Sequence, residues 1–418
     1  MNPFESIRIA LRALGANKLR TALTMLGIVI GVGSVITLMS VGRGAQASIT
    51  AQIQSQGTNL LFIRPGARQE AGVRTGQGQA ATLTYEDALA LATPGRAPSV
   101  ALVAPENTQF AQLIAGGQNY NTRVTGTTPE YEDVRNFHVA TGEFVQKTHL
   151  DGRSSVIVLG ATVADTLFPG VDPIGQTVKV NIGGRTGPSF RVIGVMERKG
   201  GTGFGNQDDQ VIVPLTTMQT RLAAQRTARG TRNVGTINVQ MVDGAETSAA
   251  IEEVANVLRE QHRVSQDDFT VQSQEDLLNV ATQVTGVLTV LLGSIAGISL
   301  VVGGIGIMNI MLVSVTERTR EIGIRKAVGA RRRDILAQFL TEALVVSVLG
   351  GALGVGIGAG LAGVVSSLDL NGQRLQTLVA PDAILLAFGV SAAIGLFFGI
   401  YPAARASRLN PIEALRYE

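Results

Sequence analysis

Cysteine is absent from this 418-residue chain, and so is tryptophan. The first absence excludes disulfides, thiolate metal sites and a cysteine nucleophile together, and it fits an exported domain held by packing alone. Aromatic residues are few, 13 Phe and 5 Tyr. Charge is scarce as well: Asp, Glu, Lys and Arg make up 16% of the residues, against about 25% in a typical soluble domain. An ordinary water-soluble enzyme is a poor fit to that figure. The histidines, His138, His149 and His262, are scattered along the sequence and argue against a zinc site. There is no Gly-Lys dipeptide, hence no Gly-x-x-x-x-Gly-Lys-[Ser/Thr] loop. The run Gly200–Gly205 (GGTGFG) resembles a phosphate loop, but a strand-like stretch rather than a helix follows it. It reads as a flexible turn, because a phosphate cradle needs a helix N-terminus behind it. No catalytic residue, cofactor or metal site is expected.

What is present is aliphatic and small. Hydrophobic residues make up 45% of the chain, the mean hydropathy is +0.25, and glycine numbers 50, well above its usual share of about 7%. The apolar residues are concentrated in four runs near Thr21–Val41, Val287–Val315, Ala343–Val365 and Ile384–Ile400. Each is about long enough to cross a bilayer. Ala45-Gln46-Ala47 looks like a signal-peptidase site. The first run, at about 20 residues, exceeds the 7–15 of a secretory h-region, so it reads as an uncleaved anchor. Before it, Phe4, Ile7, Leu11 and Leu14 recur at helical spacing among Arg8, Arg12 and Lys18, the pattern of a helix lying on the membrane surface.

These patterns predict a membrane protein of four transmembrane α-helices, with a large extracytoplasmic α/β domain between helices 1 and 2. The expected divisions are a surface helix over 1–20, spans over 21–43, 284–315, 335–365 and 381–400, an outer domain over 44–283, a cytoplasmic loop over 316–334, a short outer loop over 366–380 and a tail over 401–418. Orientation follows from Lys and Arg in the short segments. Arg8, Arg12, Lys18 and Arg20 precede the first span. Arg318, Arg320, Arg325, Lys326 and Arg331–Arg333 lie in the middle loop, and Arg405, Arg408 and Arg416 in the tail. The third-to-fourth connection holds only Arg374. Both termini and the middle loop are therefore expected in the cytoplasm, in a cell or inner membrane.

The apolar cores contain no charge, Glu342 lying at the edge of the third. Buried charge marks ion and proton paths, so a proton- or sodium-driven carrier is disfavoured. Asn309 reads as an interhelical hydrogen-bonding residue. Gly293 and Gly297, and the stripe Gly350, Gly354, Gly358 beside Gly356 and Gly360, have the spacing of close helix contacts, within one chain or at a dimer seam.

The outer domain reads as mixed α/β. Strand-like stretches are Asn59–Arg64, Ser99–Ala104, Thr108–Ala115, Tyr120–Gly126, Thr236–Val242 and Phe269–Gln272, with helices starting at Tyr85 and spanning Glu246–Gln261. These would form a split sheet-and-helix unit over 44–134 and 236–283. A mostly β subdomain inserted over 135–235 would hold Ser155–Leu159, Gln176–Asn181, Phe190–Met196 and Gln210–Pro214. Ser40–Gln56 and Gln274–Gln283 would form a helical stalk. Six acidic dipeptides, from Glu86-Asp87 to Glu275-Asp276, read as solvated charge at helix starts and loops.

The middle loop, Glu317–Ile335 (ERTREIGIRKAVGARRRDI), is more than a basic connection. Glu321 and Arg325 pair at i, i+4, Ile324, Ala327 and Val328 share a face, and Gly329 or Ala330 ends the helix before Arg331–Arg333. This loop resembles the coupling helix of the MacB-type permeases, the family that includes the FtsX and LolC/LolE proteins. Asn2–Val32, Val156–Val180 and Tyr401–Glu418 (YPAARASRLNPIEALRYE) are similar to the same family, so the resemblance runs the length of the chain. It implies a homodimer, or a pair with a close paralogue, and an outer domain with a porter-like and an inserted β-rich part. The sequence departs from MacB itself in having no fused ATPase, which assigns ATP hydrolysis to a separate ABC ATPase subunit and none to this chain. Carried over by position, Glu317, Arg318, Glu321, Ile324, Arg325 and Lys326 would contact that ATPase. The expected function is a permease subunit that relays ATP-driven motion to its outer domain and expels a drug, peptide or lipophilic substrate. A periplasmic adaptor and membrane lipids are the further partners, and nucleic acid is not one. Lipoprotein release, or FtsX-like regulation of a cell-wall hydrolase, is the alternative in the same fold.

Overall fold

The chain is described by a computed structural model covering residues 18–416, apart from 67–68, 71–72, 75–81, 184–186, 203–204, 223–231, 265, 368, 371–372 and 375–376. The surface helix expected over 1–20 lies, up to residue 17, outside the described residues. Packing divides the chain into two units, Met1–Ser48 with Thr282–Glu418, and Ile49–Ala281.

The apolar runs become four long helices: α1 (Lys18–Ser55), α7 (Gln274–Glu317), α9 (Arg332–Ser367) and α10 (Pro381–Arg408). All four are long and apolar enough to cross a membrane. At 1.5 Å per residue α7 is roughly 66 Å long, about twice a hydrocarbon core. The last helix continues past the expected end at Ile400, through the buried Pro402, to Arg408.

Close helix contact in this unit depends on glycine. A Cβ on Gly27 would lie 2.7 Å from the Cα of Gly303 on α7, and one on Gly358 would lie 2.7 Å from the Gly33 carbonyl oxygen on α1. The stripe Gly350, Gly354 and Gly358 thus packs against α1 within the chain, whereas Gly293, Gly297, Gly356 and Gly360 meet nothing within 4 Å. Where the backbones touch, the Thr37 hydroxyl donates to the carbonyls of Gly33 at 2.8 Å and Gly358 at 3.1 Å. Arg43 grips Asp382, in the first turn of α10, through two parallel 2.6 Å bonds. Such a planar fork is the strongest geometry open to an exposed ion pair.

The second unit is organised by one ten-stranded sheet. Its strands are β1 (Leu60–Pro65), β2 (Val100–Ala115), β3 (Gln118–Thr127), β4 (Val139–Gly142), β5 (Val156–Leu159), β6 (Thr177–Asn181), β7 (Ser189–Met196), β8 (Gln210–Pro214), β9 (Thr236–Met241) and β10 (Phe269–Ser273). The order is β10-β1-β9-β2-β3-β8-β5-β7-β4, with β6 pairing both β2 and β7. That second pairing closes the ring β2-β3-β8-β5-β7-β6 into a six-stranded barrel. Its interior is filled by residues such as Leu113, Val124, Ile157, Leu159, Val180, Phe190 and Val213. The pairs β3–β8 and β5–β7 are parallel, and the rest are antiparallel.

Two stretches read separately in the sequence, Ser99–Ala104 and Thr108–Ala115, are one 16-residue strand running through Pro105. Proline argues against a continuous strand because it cannot donate to the ladder. Here it sits where β2 changes partner, from β9 over Val100–Glu106 to β3 over Glu106–Ala115. The division placed between residues 134 and 135 therefore falls after a hairpin that both parts of the sheet share.

Strand β1 shows the alternation that separates the cores. Leu61 and Ile63 point toward helices α2 (Tyr85–Leu91) and α6 (Thr247–His262), packing with Leu83, Val254 and Leu258. Leu60 and Phe62 enter the opposite core with Tyr131, Phe137, Val158 and Ile212. At the foot of this unit the Gln274 amide donates to the carbonyls of Ile53 at 2.8 Å and Gly57 at 2.9 Å, tying the end of α1 to the start of α7.

The reading of the acidic dipeptides as solvated charge is corrected for two of them. Asp87 is only 2% exposed and Asp208 is buried. Asp87 closes the capping box of α2 with Thr84 and lies 3.0 Å from Nε2 of His262. Asp268 lies 2.6 Å from Nδ1 of the same ring. Asp208 accepts from the backbone N–H groups of Lys199 and Gly200. Within the Gly200–Gly205 run, Gly201 and Thr202 pair with Asn206 and Gly205 as a two-residue ladder. Residues 203–204 lie outside the described set.

Candidate coupling site

Helix α7 breaks at Arg318, the N-cap of α8 (Thr319–Ala327). The Thr319 hydroxyl turns back to the Val315 and Thr316 carbonyls, a local bond that competes with continued helix. At the other end Gly329 has φ +106°, which a residue with a Cβ adopts only under strain. The Ala330 N–H reaches the Arg325 carbonyl at 3.0 Å and that of Gly329 reaches Lys326 at 3.1 Å, the paired bonds of a Schellman end. Gly329 thus ends the helix where the sequence placed its stop.

The six residues expected to meet an ATPase divide into two sets. Three spend donors inside the chain. Arg318 reaches the buried Glu342 of α9 at 3.3 Å. Arg325 donates to Gln338 of α9 at 2.8 Å and to Glu321 at 2.5 Å. Lys326 donates to the carbonyls of Ser407 and Leu409, at 2.8 and 2.6 Å, where α10 ends. A cation there meets the negative end of a helix dipole. Burial, and after it the neighbouring Arg332 charge, lowers the Lys326 pKa from the ordinary lysine value. The other three, Glu317, Glu321 and Ile324, are exposed.

The exposed stripe of α8 continues beyond those six residues. Ile324 is 49% exposed and Val328 is 84% exposed. The opposite face buries Ile322 and Gly323 against α11 (Pro411–Arg416), and a Cβ on Gly323 would lie 2.9 Å from the Ala414 Cβ. Helix α11 adds Ile412, 69% exposed, and Leu415 to the apolar surface. The tail helix was not read from the sequence, although its start is written there. The Asn410 side chain accepts from the Ile412 N–H at 3.2 Å, Pro411 opens the helix and Glu413 sits in its first turn, which together make a helix-start signature.

Two family models match. The MacB-like periplasmic core domain covers residues 21–257, and the FtsX-like permease C-terminal domain covers residues 293–411. The chain is 46% identical over 415 residues to the macrolide export ATP-binding/permease protein MacB of Azoarcus sp., covering 99% of this chain and 60% of that protein. It is 41% identical to the protein of the same description from Bdellovibrio bacteriovorus, over 99% of this chain and 62% of the relative. The chain thus spans about 60% of the length of the curated relatives it matches. The periplasmic region of MacB from Actinobacillus actinomycetemcomitans aligns with a TM-score of 0.43 and 22% identity, over 56% of this chain and 96% of that structure. Four membrane-capable helices, a β-rich domain between the first two and a short helix between the second and third fit a multi-pass permease of the FtsX-like type. Within that class, the chain belongs to the MacB-like family.

Proposed function

We propose that this chain is the membrane-embedded permease of a MacB-like exporter, moved by an ABC ATPase whose nucleotide site lies outside these 418 residues. The observation that carries this reading is the coupling helix α8. It is fastened by Arg318 and Arg325 to α9 and by Lys326 to the end of α10, while Glu321, Ile324 and Val328 are left facing outward. A helix held on its inner face, with Ile324 and Val328 exposed beside Glu321 on its outer face, suits a groove on a moving partner. The ATPase would contact Glu317, Glu321, Ile324, Val328 and the adjoining Ile412, with Arg318, Arg325 and Lys326 transmitting its displacement into α9 and α10. Two copies of the chain, or one copy and a paralogue, would pair in the membrane, with both termini in the cytoplasm and the barrel-bearing domain outside. The exported compound would be a drug, peptide or lipophilic molecule, in line with the macrolide named for the relatives. A periplasmic adaptor would complete the route.

The combination Glu321→Lys with Ile324→Asp tests the docking claim. It should reduce recovery of the ATPase with the tagged permease by at least about tenfold, the equivalent of 1.4 kcal/mol. The thermal midpoint of the permease alone should stay unchanged. Undiminished co-purification would show that α8 is not the docking element.

A further inference from the structure

Beneath the barrel, inside the second unit, lies a polar cavity of about 180 Å³. Arg123 on β3 and Gln210 on β8 are register partners of adjacent parallel strands, so both face it from one side. Arg135, the C-cap of α3 (Tyr131–Val134), approaches from another side. Asn206, through its backbone carbonyl, and Gln56, near the end of α1, complete the polar wall.

Two features of this cavity call for a ligand. The first is uncompensated charge. Arg123 and Arg135 form no ion pair within 4 Å with any described carboxylate, and no Asp or Glu lines the cavity. Their observed partners are neutral: Arg135 donates to the Gln56 side-chain oxygen at 2.9 Å, and Arg123 makes a long 3.4 Å contact with the Asn206 carbonyl. Arg135 also lies over the Phe62 ring, 5.6 Å from its centre, which fixes the guanidinium plane. Both charges reach the buried Tyr131 phenol. Burial and then Glu106 raise its pKa, while Arg135 and Arg123 oppose them. The second feature is Gln210. It is only 8% exposed, and it stands in the cavity wall.

We propose that this cavity binds a small tetrahedral oxyanion of the phosphate or sulfate type. Guanidinium groups match oxyanions through paired N–H donors. Two guanidiniums arriving from different elements need an acceptor with more than two oxygens. The Gln210 amide adds a neutral donor, and no acidic group lines the cavity. The volume is below the roughly 300–1,000 Å³ of sites for drug-sized molecules, which sets the cavity apart from a path for the exported compound. An anion there would bridge Gln56 and Arg135 to strands β3 and β8, bracing the end of α1 against the sheet.

The test is thermal unfolding of the full chain in detergent, titrated with inorganic phosphate against chloride at matched ionic strength. Phosphate should raise the midpoint saturably, and Arg123→Gln with Arg135→Gln should abolish that rise. Arg123→Lys, which keeps the charge but loses the fork, should weaken phosphate binding about tenfold. Gln210→Leu keeps both charges and should weaken it by a smaller factor, which protects the test if the double variant folds poorly. The absence of a saturable rise in the parent chain, or an equal rise in the double variant, would overturn the proposal.

Discussion

His262 carries a proton that two carboxylates hold in place. Burial alone would lower its pKa, but hydrogen bonds and charge from Asp268 and Asp87 outweigh burial and raise it from 6.5 to about 9. A raised folded-state pKa means stability that is complete below the unfolded value and lost as pH rises through the folded one. At 1.36 kcal/mol per pKa unit the contribution is on the order of 3 kcal/mol, and it fades between about pH 6.5 and 9. The thermal midpoint of the full chain should fall across that window, and His262→Gln should flatten the decline while lowering the midpoint at pH 6. An unchanged slope in the variant would show that the proton is held elsewhere. This pairing was not legible in the sequence. Asp87 reads as a helix-start acid, which it also is, and its histidine lies 175 residues away. Local pattern reports the cap and is blind to the partner.

At the scale of elements, α8 was a legible part of the chain. Its stop at Gly329 and its Glu321–Arg325 pair follow from local chemistry. Which cations face outward does not, because i, i+3 and i, i+4 spacing describes faces without saying what covers them. Lys326 is the clearest case, a surface cation by composition and, in the structure, a donor to the Ser407 and Leu409 carbonyls at the end of α10. Lys326→Met keeps the aliphatic length and removes both bonds. It should destabilise the helical unit by about 2 kcal/mol and speed hydrogen exchange over Ser407–Ala414, with little effect at Ile324. Protection equal to that of the parent chain would remove Lys326 from the transmission path. Glycine spacing has the same one-sidedness. It foretold close contacts, and the structure spends Gly350, Gly354 and Gly358 on α1, leaving Gly293 and Gly297 uncovered.

For the whole molecule, the absence of cysteine becomes an experimental convenience. A single introduced thiol can be labelled without background, so the proposed orientation is directly testable. Val328→Cys, 84% exposed on α8, should react in sealed spheroplasts only after permeabilisation. Val171→Cys, 57% exposed beside the barrel, should react before it. The reverse order would invert the assignment. The four spans were legible because lipid imposes a length and a polarity on each segment separately. The barrel was not, because closure depends on β6 joining β2 and β7, a tertiary fact with no periodicity of its own.

The strand that runs through Pro105 has a consequence for force. Its first half belongs to the sheet carrying α2 and α6, its second half to the barrel, and one covalent backbone spans both. No flexible linker separates the two parts along this line, and the hairpin partner β3 runs beside the second half. A load applied to one part is carried along the strand as tension and across its ladders as shear, the stiffest directions of a sheet. Along this line the two parts of the β domain are joined by continuous backbone, so a displacement of one is passed to the other through a paired strand.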